Sequence, residues 1–181
     1  MGTWNSRGLR GSTFEDFINR TNEIYLTNQL ALIQKIPTPI TPIDIDKKTR
    51  HITLAYFDKK STVDYIGVVQ GIPVCFDAKE CNTDTFPLQN IHEHQMQFMS
   101  DFEEQKGISF FLIYYTKYQK YYYLSFREAL QFWNRGMKEG GRKSFRIEEL
   151  QEGYFFTSNR MLLVPYLEMI QKDMDDRENN L

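Results

Sequence analysis

Asp64 and, thirteen residues on, Asp77-Ala78-Lys79 are the side chains of this sequence best suited to do chemistry. The runs Val63–Gln70 and Pro73–Lys79 read as adjacent strands, with Gly71 a hairpin turn between them. A side-chain period of two puts Asp77 and Lys79 on one face, and Thr62 likewise with Asp64. Antiparallel pairing would then bring Asp64 beside Asp77 and Lys79. Two hard carboxylate ligands next to a fixed ammonium suit Mg²⁺-assisted attack of water on a phosphodiester. A D-x-K triplet alone equally fits a solvated strand face. The flanks decide between the two. Ile66, Val68 and Val69 follow Asp64, and Ile72, Val74, Cys75, Phe76 and Ala78 surround Asp77. Both strands therefore read as largely buried, and a buried carboxylate needs a partner, a metal or a raised pKa.

The elements that must position these residues are those of one mixed α/β domain over residues 1–181. Ser12-Thr-Phe-Glu15 fits a capping box and opens a helix to about Leu30, with Phe14, Phe17, Ile18 and Tyr25 on its inner stripe. Glu15 lies at the edge of that stripe, where it either turns toward the site or caps the helix. Ala31–Ile36 reads as a strand. Pro37, Pro39 and Pro42 then forbid helix. The long segment from Pro37 to about Lys60, with one alternating stretch at His51–Phe57, reads as a protruding arm. After the site strands, Asn90 reads as the cap of a helix from Ile91 to about Lys106, closed by Gly107. Its inner stripe is Ile91, Phe98 and Phe102, and Gln95 falls on it. An inward glutamine needs hydrogen-bond partners or a ligand. Ile108–Thr116 and Lys120–Phe126 make a second strand pair. Arg127–Arg135 and Ile147–Glu152 read as short helices, Tyr154–Thr157 as a last strand, and Leu162–Met174 as a helix before an acidic, frayed tail.

Composition excludes the extremes. The chain of 181 residues is 41% hydrophobic and 25% charged, with a net charge of −2, so it is not a uniformly basic nucleic-acid binder. The cations are clustered, however: Arg7 with Arg10, Lys47 with Lys48 and Arg50, Lys59 with Lys60, and Arg135, Lys138, Arg142, Lys143 and Arg146 against the single acid Glu139. Together they favour a polyanionic partner. No signal peptide or membrane-spanning run is legible, which predicts a cytoplasmic protein without a membrane partner. Cys75 and Cys81 are too few for a disulfide framework. His92-Glu93-His94 does not make a zinc site, because helical positions two apart point to different sides.

Several of these stretches, taken in order, resemble one family. They are Asn5-Ser-Arg-Gly8 leading to Glu15, Lys35-Ile-Pro-Thr-Pro39, Ser61-Thr62-Val-Asp64-Tyr-Ile-Gly67 and Phe76-Asp77-Ala-Lys79-Glu80. Phe86-Pro87-Leu88 with His92-Glu-His94-Gln95, and Gly141-Arg-Lys-Ser144, complete the set. The pattern resembles the RecU-type Holliday junction resolvases of the PD-(D/E)xK nuclease superfamily. The resemblance implies a restriction-endonuclease-like central mixed sheet flanked by helices, with a stalk at about residues 37–60. It implies a homodimer that nicks four-way DNA junctions symmetrically in recombination and repair, with other recombination proteins as further partners. It implies Thr62, Asp64, Asp77 and Gln95 as ligands of Mg²⁺ (Mn²⁺ substituting), and Lys79 as the transition-state stabiliser. Arg7, Arg10, Lys47, Lys48, Arg50, Lys59, Lys60, Arg142 and Lys143 are the DNA-binding candidates. Position 77 is Asp where many members carry Glu. A duplex-cutting nuclease of the same fold, or a non-catalytic junction-binding or recombinase-modulating protein, are the competing readings.

Overall fold

The structure is a computed structural model that describes residues 13–57 and 62–179. Its centre is a six-stranded mixed sheet. The strands are β1 (Ala31–Lys35), β4 (Tyr65–Val69), β5 (Ile72–Cys81), β7 (Ile108–Tyr115), β8 (Lys120–Ser125) and β10 (Phe155–Phe156), in that spatial order. Every neighbouring pair is antiparallel except β5 and β7. Parallel neighbours need a crossover, and the helix α2 (Glu93–Glu104) lies within it. The remaining helices are α1 (Thr13–Thr27), α3 (Phe126–Met137) and α4 (Leu167–Glu178). The mixed α/β architecture with helices flanking a central sheet is as the sequence predicts.

The site strands are joined by Gln70-Gly71, both at positive φ (47° and 89°). Two such residues make the tight turn whose twist matches that of paired strands. The register follows: Tyr65 opposes Phe76 and Val69 opposes Ile72. Gly67 has no room for a side chain, since a Cβ there would fall 2.0 Å from the Leu32 carbonyl oxygen on β1.

Alternation sorts the two faces of β5. Phe76 stacks between Tyr65 and Phe110, and Tyr166 closes against both phenylalanines. This aromatic layer lies on the side of α1, whose Phe14 stacks on Tyr121 and whose Tyr25 meets Tyr166 edge-on. The opposite face carries Cys75, Asp77 and Lys79. There Cys75 bonds Ser109, whose hydroxyl donates to the Met99 carbonyl of α2 (3.2 Å). So α2 covers the face that bears the charged residues.

The arm is a second hairpin. Among the described residues β2 (Ile40–Ile45) and β3 (Ile52–Phe57) pair only with each other, and nearly all their side chains are exposed. Pro42 is accommodated because the register shifts between Pro42 and Asp44.

Four expectations needed correction. Helix α2 begins at Glu93 rather than Ile91, because Leu88–Asn90 forms a 3₁₀ turn first and His92 is the N-cap. The stretch 82–89, to which the sequence pattern assigns no element, contains β6 (Thr85–Pro87), paired with β9 (Ser144–Arg146). Ile147–Glu152 is not one helix but two 3₁₀ turns, Ile147–Glu149 and Glu152–Tyr154. The last helix starts at Leu167, after Pro165 has interrupted the chain, and continues through the supposed frayed tail. That tail is anchored: Asp173 is fully buried and bonds Tyr123, Arg127 and Arg177, while Arg177 grips Glu103 of α2 with two nitrogens.

Candidate metal centre and nucleic-acid interface

Asp64 and Asp77 meet as the hairpin register requires. Each carboxylate is held by the other residue's strand. The Asp64 backbone N–H donates to Asp77 Oδ1 (3.1 Å), and the Ala78 N–H donates to Asp64 Oδ2 (3.0 Å). The Asp64 carbonyl in turn accepts from Ile36 N–H at the end of β1 (2.8 Å). Asp77 is fully buried. Its Oδ2 forms an ion pair with Lys79 but accepts no hydrogen bond. Burial, and secondly the neighbouring charge of Asp77, push the Asp64 carboxyl up to about 6.

This arrangement fits a hard divalent cation. It offers a buried carboxylate oxygen that is met by the Lys79 ammonium and a second carboxylate that is costly to leave charged. Among the described residues no three His, Cys, Asp or Glu side chains are grouped to hold a metal. Two carboxylates completed by neutral oxygens, water and a phosphate match Mg²⁺, which rarely uses an all-protein cage.

The other candidate residues divide. Gln95 is buried on α2, one turn before Met99, hence on the stripe facing the β5 charges. Its side-chain oxygen accepts from the His92 N–H (3.0 Å), the reciprocal half of a capping box. The inward amide therefore has a structural partner at the helix start. Thr62 is exposed on the segment leading into β4. Glu15 is on α1, where it pairs with Lys35 (2.5 Å) and its carbonyl accepts from the Tyr65 hydroxyl. The hydrogen bonds that lock Asp64 to Asp77 involve neither Thr62 nor Glu15.

Of the basic candidates, Lys47, Lys48 and Arg50 sit at the tip between β2 and β3. Asp46 organises that tip by accepting from Lys48 N–H (2.8 Å) and Thr49 N–H (3.4 Å), and its carbonyl accepts from Arg50 N–H (2.8 Å). All three cations are exposed. Arg142 is already paired with Glu149 (3.0 Å), which also binds Arg135 (2.5 Å). The sequence reading gave this cluster one acid, Glu139; Glu149 is the second. Its signal was the acidic pair Glu148-Glu149 directly after the basic run. Lys143 is exposed. Arg7, Arg10, Lys59 and Lys60 lie outside the described residues.

A mixed sheet with two interlocked carboxylates and a lysine on a central strand is a frame for divalent-metal chemistry. A family model of Recombination protein U (RecU) matches residues 9–172. The chain belongs to that RecU family. It is 40% identical over 174 residues to a protein named Holliday junction resolvase RecU of Pediococcus pentosaceus, covering 93% of this chain and 86% of the relative. It is 41% identical over 170 residues to the protein of that name from Lactococcus lactis subsp. lactis, covering 91% and 78%. The Bacillus subtilis protein of that name is 42% identical over 147 residues, covering 79% and 70%. Among solved structures, Archaeoglobus fulgidus Hjc, described as a Holliday junction resolvase, aligns with a TM-score of 0.38 at 8% identity, over 77% of this chain and 85% of that one. No helix among the described residues is long and apolar enough to cross a membrane.

Proposed function

We propose that this chain is a divalent-metal-dependent endonuclease that resolves four-way DNA junctions by paired, symmetric nicks during recombination and repair. The reciprocal lock of Asp64 and Asp77, with Lys79 ion-paired beside them, is the observation that carries this reading. The names of the relatives supply the substrate.

Asp64 and Asp77 would hold Mg²⁺, or Mn²⁺ in its place, with Thr62 and Gln95 as the neutral-oxygen ligands. When bound, such an ion polarises the scissile phosphate and lowers the pKa of the attacking water. The chain's own residues do the rest. The two backbone N–H groups fix the carboxylates before substrate arrives, so no reorganisation is needed at the moment of reaction. Lys79 sits in a partly dry position, where its ammonium offsets negative charge developing on the phosphoryl oxygens. The hairpin β2–β3 presents Lys47, Lys48 and Arg50 on a projection that the open centre of a four-way junction accommodates and linear duplex does not. Two opposed strands must be cut, so a homodimer with a twofold axis supplies two equal sites. The cytoplasm, where bacterial DNA is processed, is the compartment this work requires.

The test is incubation with a synthetic four-way junction and with linear duplex, each with and without Mg²⁺. Symmetric nicks in the junction only when metal is present support the proposal. Junction binding without cleavage under any divalent ion would make this a binding protein, and equal cutting of duplex would remove the structure selectivity.

A further inference from the structure

Helix α3 has two apolar stripes, and the sheet uses only one. Phe126, Ala129, Phe132 and Gly136 are buried. Leu130, Trp133 and Met137, at helical spacing on the next stripe, are half-buried or exposed, Met137 at 67%. The last two line a groove of about 240 Å³ with Leu88, Ile91, Gly136 and Lys143.

The groove has fixed walls. The Leu88 N–H donates to the Lys143 carbonyl (3.0 Å), and the Arg135 guanidinium donates to the Ser144 carbonyl (2.8 Å). A Cβ on Gly136 would fall 2.6 Å from Leu88 Cδ1, so α3 and the 3₁₀ turn approach closely here. A preformed groove spares an incoming ligand the cost of ordering it. Lys143 lines it and Lys138 follows Met137, and neither makes an ion pair among the described residues. The Lys138 carbonyl at the end of α3 is taken by Gly141 N–H (2.8 Å), which reduces the negative end of the helix as an obstacle to an anion.

We infer that this groove docks an acidic segment of a partner protein, seating one large apolar side chain against Trp133 and Met137 while neighbouring carboxylates meet Lys143 and Lys138. The occupant follows from the charges and the size. A groove one side chain wide is far below the area of a stable interface between two copies of the chain. The chain's own acidic stretch is committed elsewhere: Asp173 is buried, and Asp175 and Asp176 bond Gln171 and Lys172 within α4.

The chain has two tryptophans, so Trp4→Phe leaves Trp133 as the sole tryptophan, excited apart from the tyrosines at the long-wavelength edge of absorption. The probe is a short synthetic peptide of consecutive aspartates ending in phenylalanine. A saturable blue shift of Trp133 emission is expected, with Met137→Gln and Lys143→Glu each weakening binding about tenfold or more. Met137→Gln should leave junction nicking intact, and an unchanged far-ultraviolet circular dichroism spectrum and thermal melt of each variant check that it is folded. No shift, or an equal shift with the aspartates replaced by lysines, would overturn the inference. So would displacement of the peptide by oligothymidylate, which would make the groove a nucleic-acid surface. The result does not depend on whether the chain cuts DNA.

Discussion

Two of the antiparallel hairpins, β2–β3 and β4–β5, follow one another in sequence and are built on opposite principles. The hairpin β4–β5 is closed by a two-residue turn, keeps unbroken register and is clamped between β1 and β7. The hairpin β2–β3 has register shifts at Asp44, no neighbouring strand among the described residues, and exposed Ile43, Leu54, Tyr56 and Phe57. One holds charge where water is scarce; the other holds apolar and cationic groups where water is plentiful. On the function proposed above, β4–β5 would serve chemistry and β2–β3 recognition. The first hairpin must not move relative to the core, whereas the second contributes little to the core and is free to be shaped by what it touches.

The comparison breaks first at Asp77. Asp77→Asn or Asp64→Asn should abolish nicking while junction binding survives or tightens, because a carboxylate that repels phosphate is gone. Nicking assays beside gel-shift titrations decide this, and wild-type cleavage by either variant would remove the site from the chemistry. Lys79→Ala should lower turnover by roughly two to three orders of magnitude, the usual size for losing one electrostatic stabiliser. Single-turnover rates at saturating metal are the measurement, and a loss confined to metal affinity would contradict the role.

The other hairpin should behave in reverse. Shortening it between Ile43 and His51 should weaken junction binding and nicking far more than duplex binding, with folding intact because the removed side chains are exposed. A truncated, folded protein that kept the wild-type preference for junctions would deny the hairpin its selectivity.

Smaller effects sharpen the contrast. The Asp64 carboxyl is raised to about 6 in the folded, metal-free protein from an ordinary 3.8. The native state therefore binds the proton more tightly, and this group's stabilising contribution is present below pH 3.8 and lost as pH rises through 6. Asp64→Asn should remove that component from a Tm–pH profile. Added Mg²⁺ should raise the wild-type Tm more at pH above 7 than near 5, where the proton competes. The smallest effect is at Gln95. Gln95→Ala should cost about 1 kcal/mol even without metal, through the lost capping bond. Urea melts without metal would show it, and an unchanged midpoint would leave Gln95 a role toward the ion alone.

The site hairpin was legible because its signals are local and agree: period-two alternation, a glycine turn and buried flanks around each carboxylate. The arm was only half legible. His51–Phe57 alternates, but Pro42 hides its partner strand, since proline is tolerated there only at a register shift that no pattern announces. β6 and β9, at three residues each, are too short for any periodicity. The anchored tail is not legible in the sequence because Asp173 and Arg177 look like ordinary solvated charges until Glu103, far away in sequence, is placed beside them. Gln95 was recognised as needing a partner, but its service to the His92 N–H depended on where α2 begins, and that boundary was misplaced by the 3₁₀ turn.

The mutual hold of Asp64 and Asp77 also bears on how the chain acquires its charge pair while folding. Neither carboxylate is positioned by its own strand alone; each waits for an N–H from the other. A slip of one residue between β4 and β5 would turn Asp77 to the aromatic face and leave Asp64 facing Phe76 or Ala78. A folding intermediate with the wrong pairing, or with the hairpin still open, presents isolated carboxylates with no shared binding geometry. A geometry shared by the two carboxylates therefore exists only once β4 and β5 are in register, whatever else of the chain has already formed.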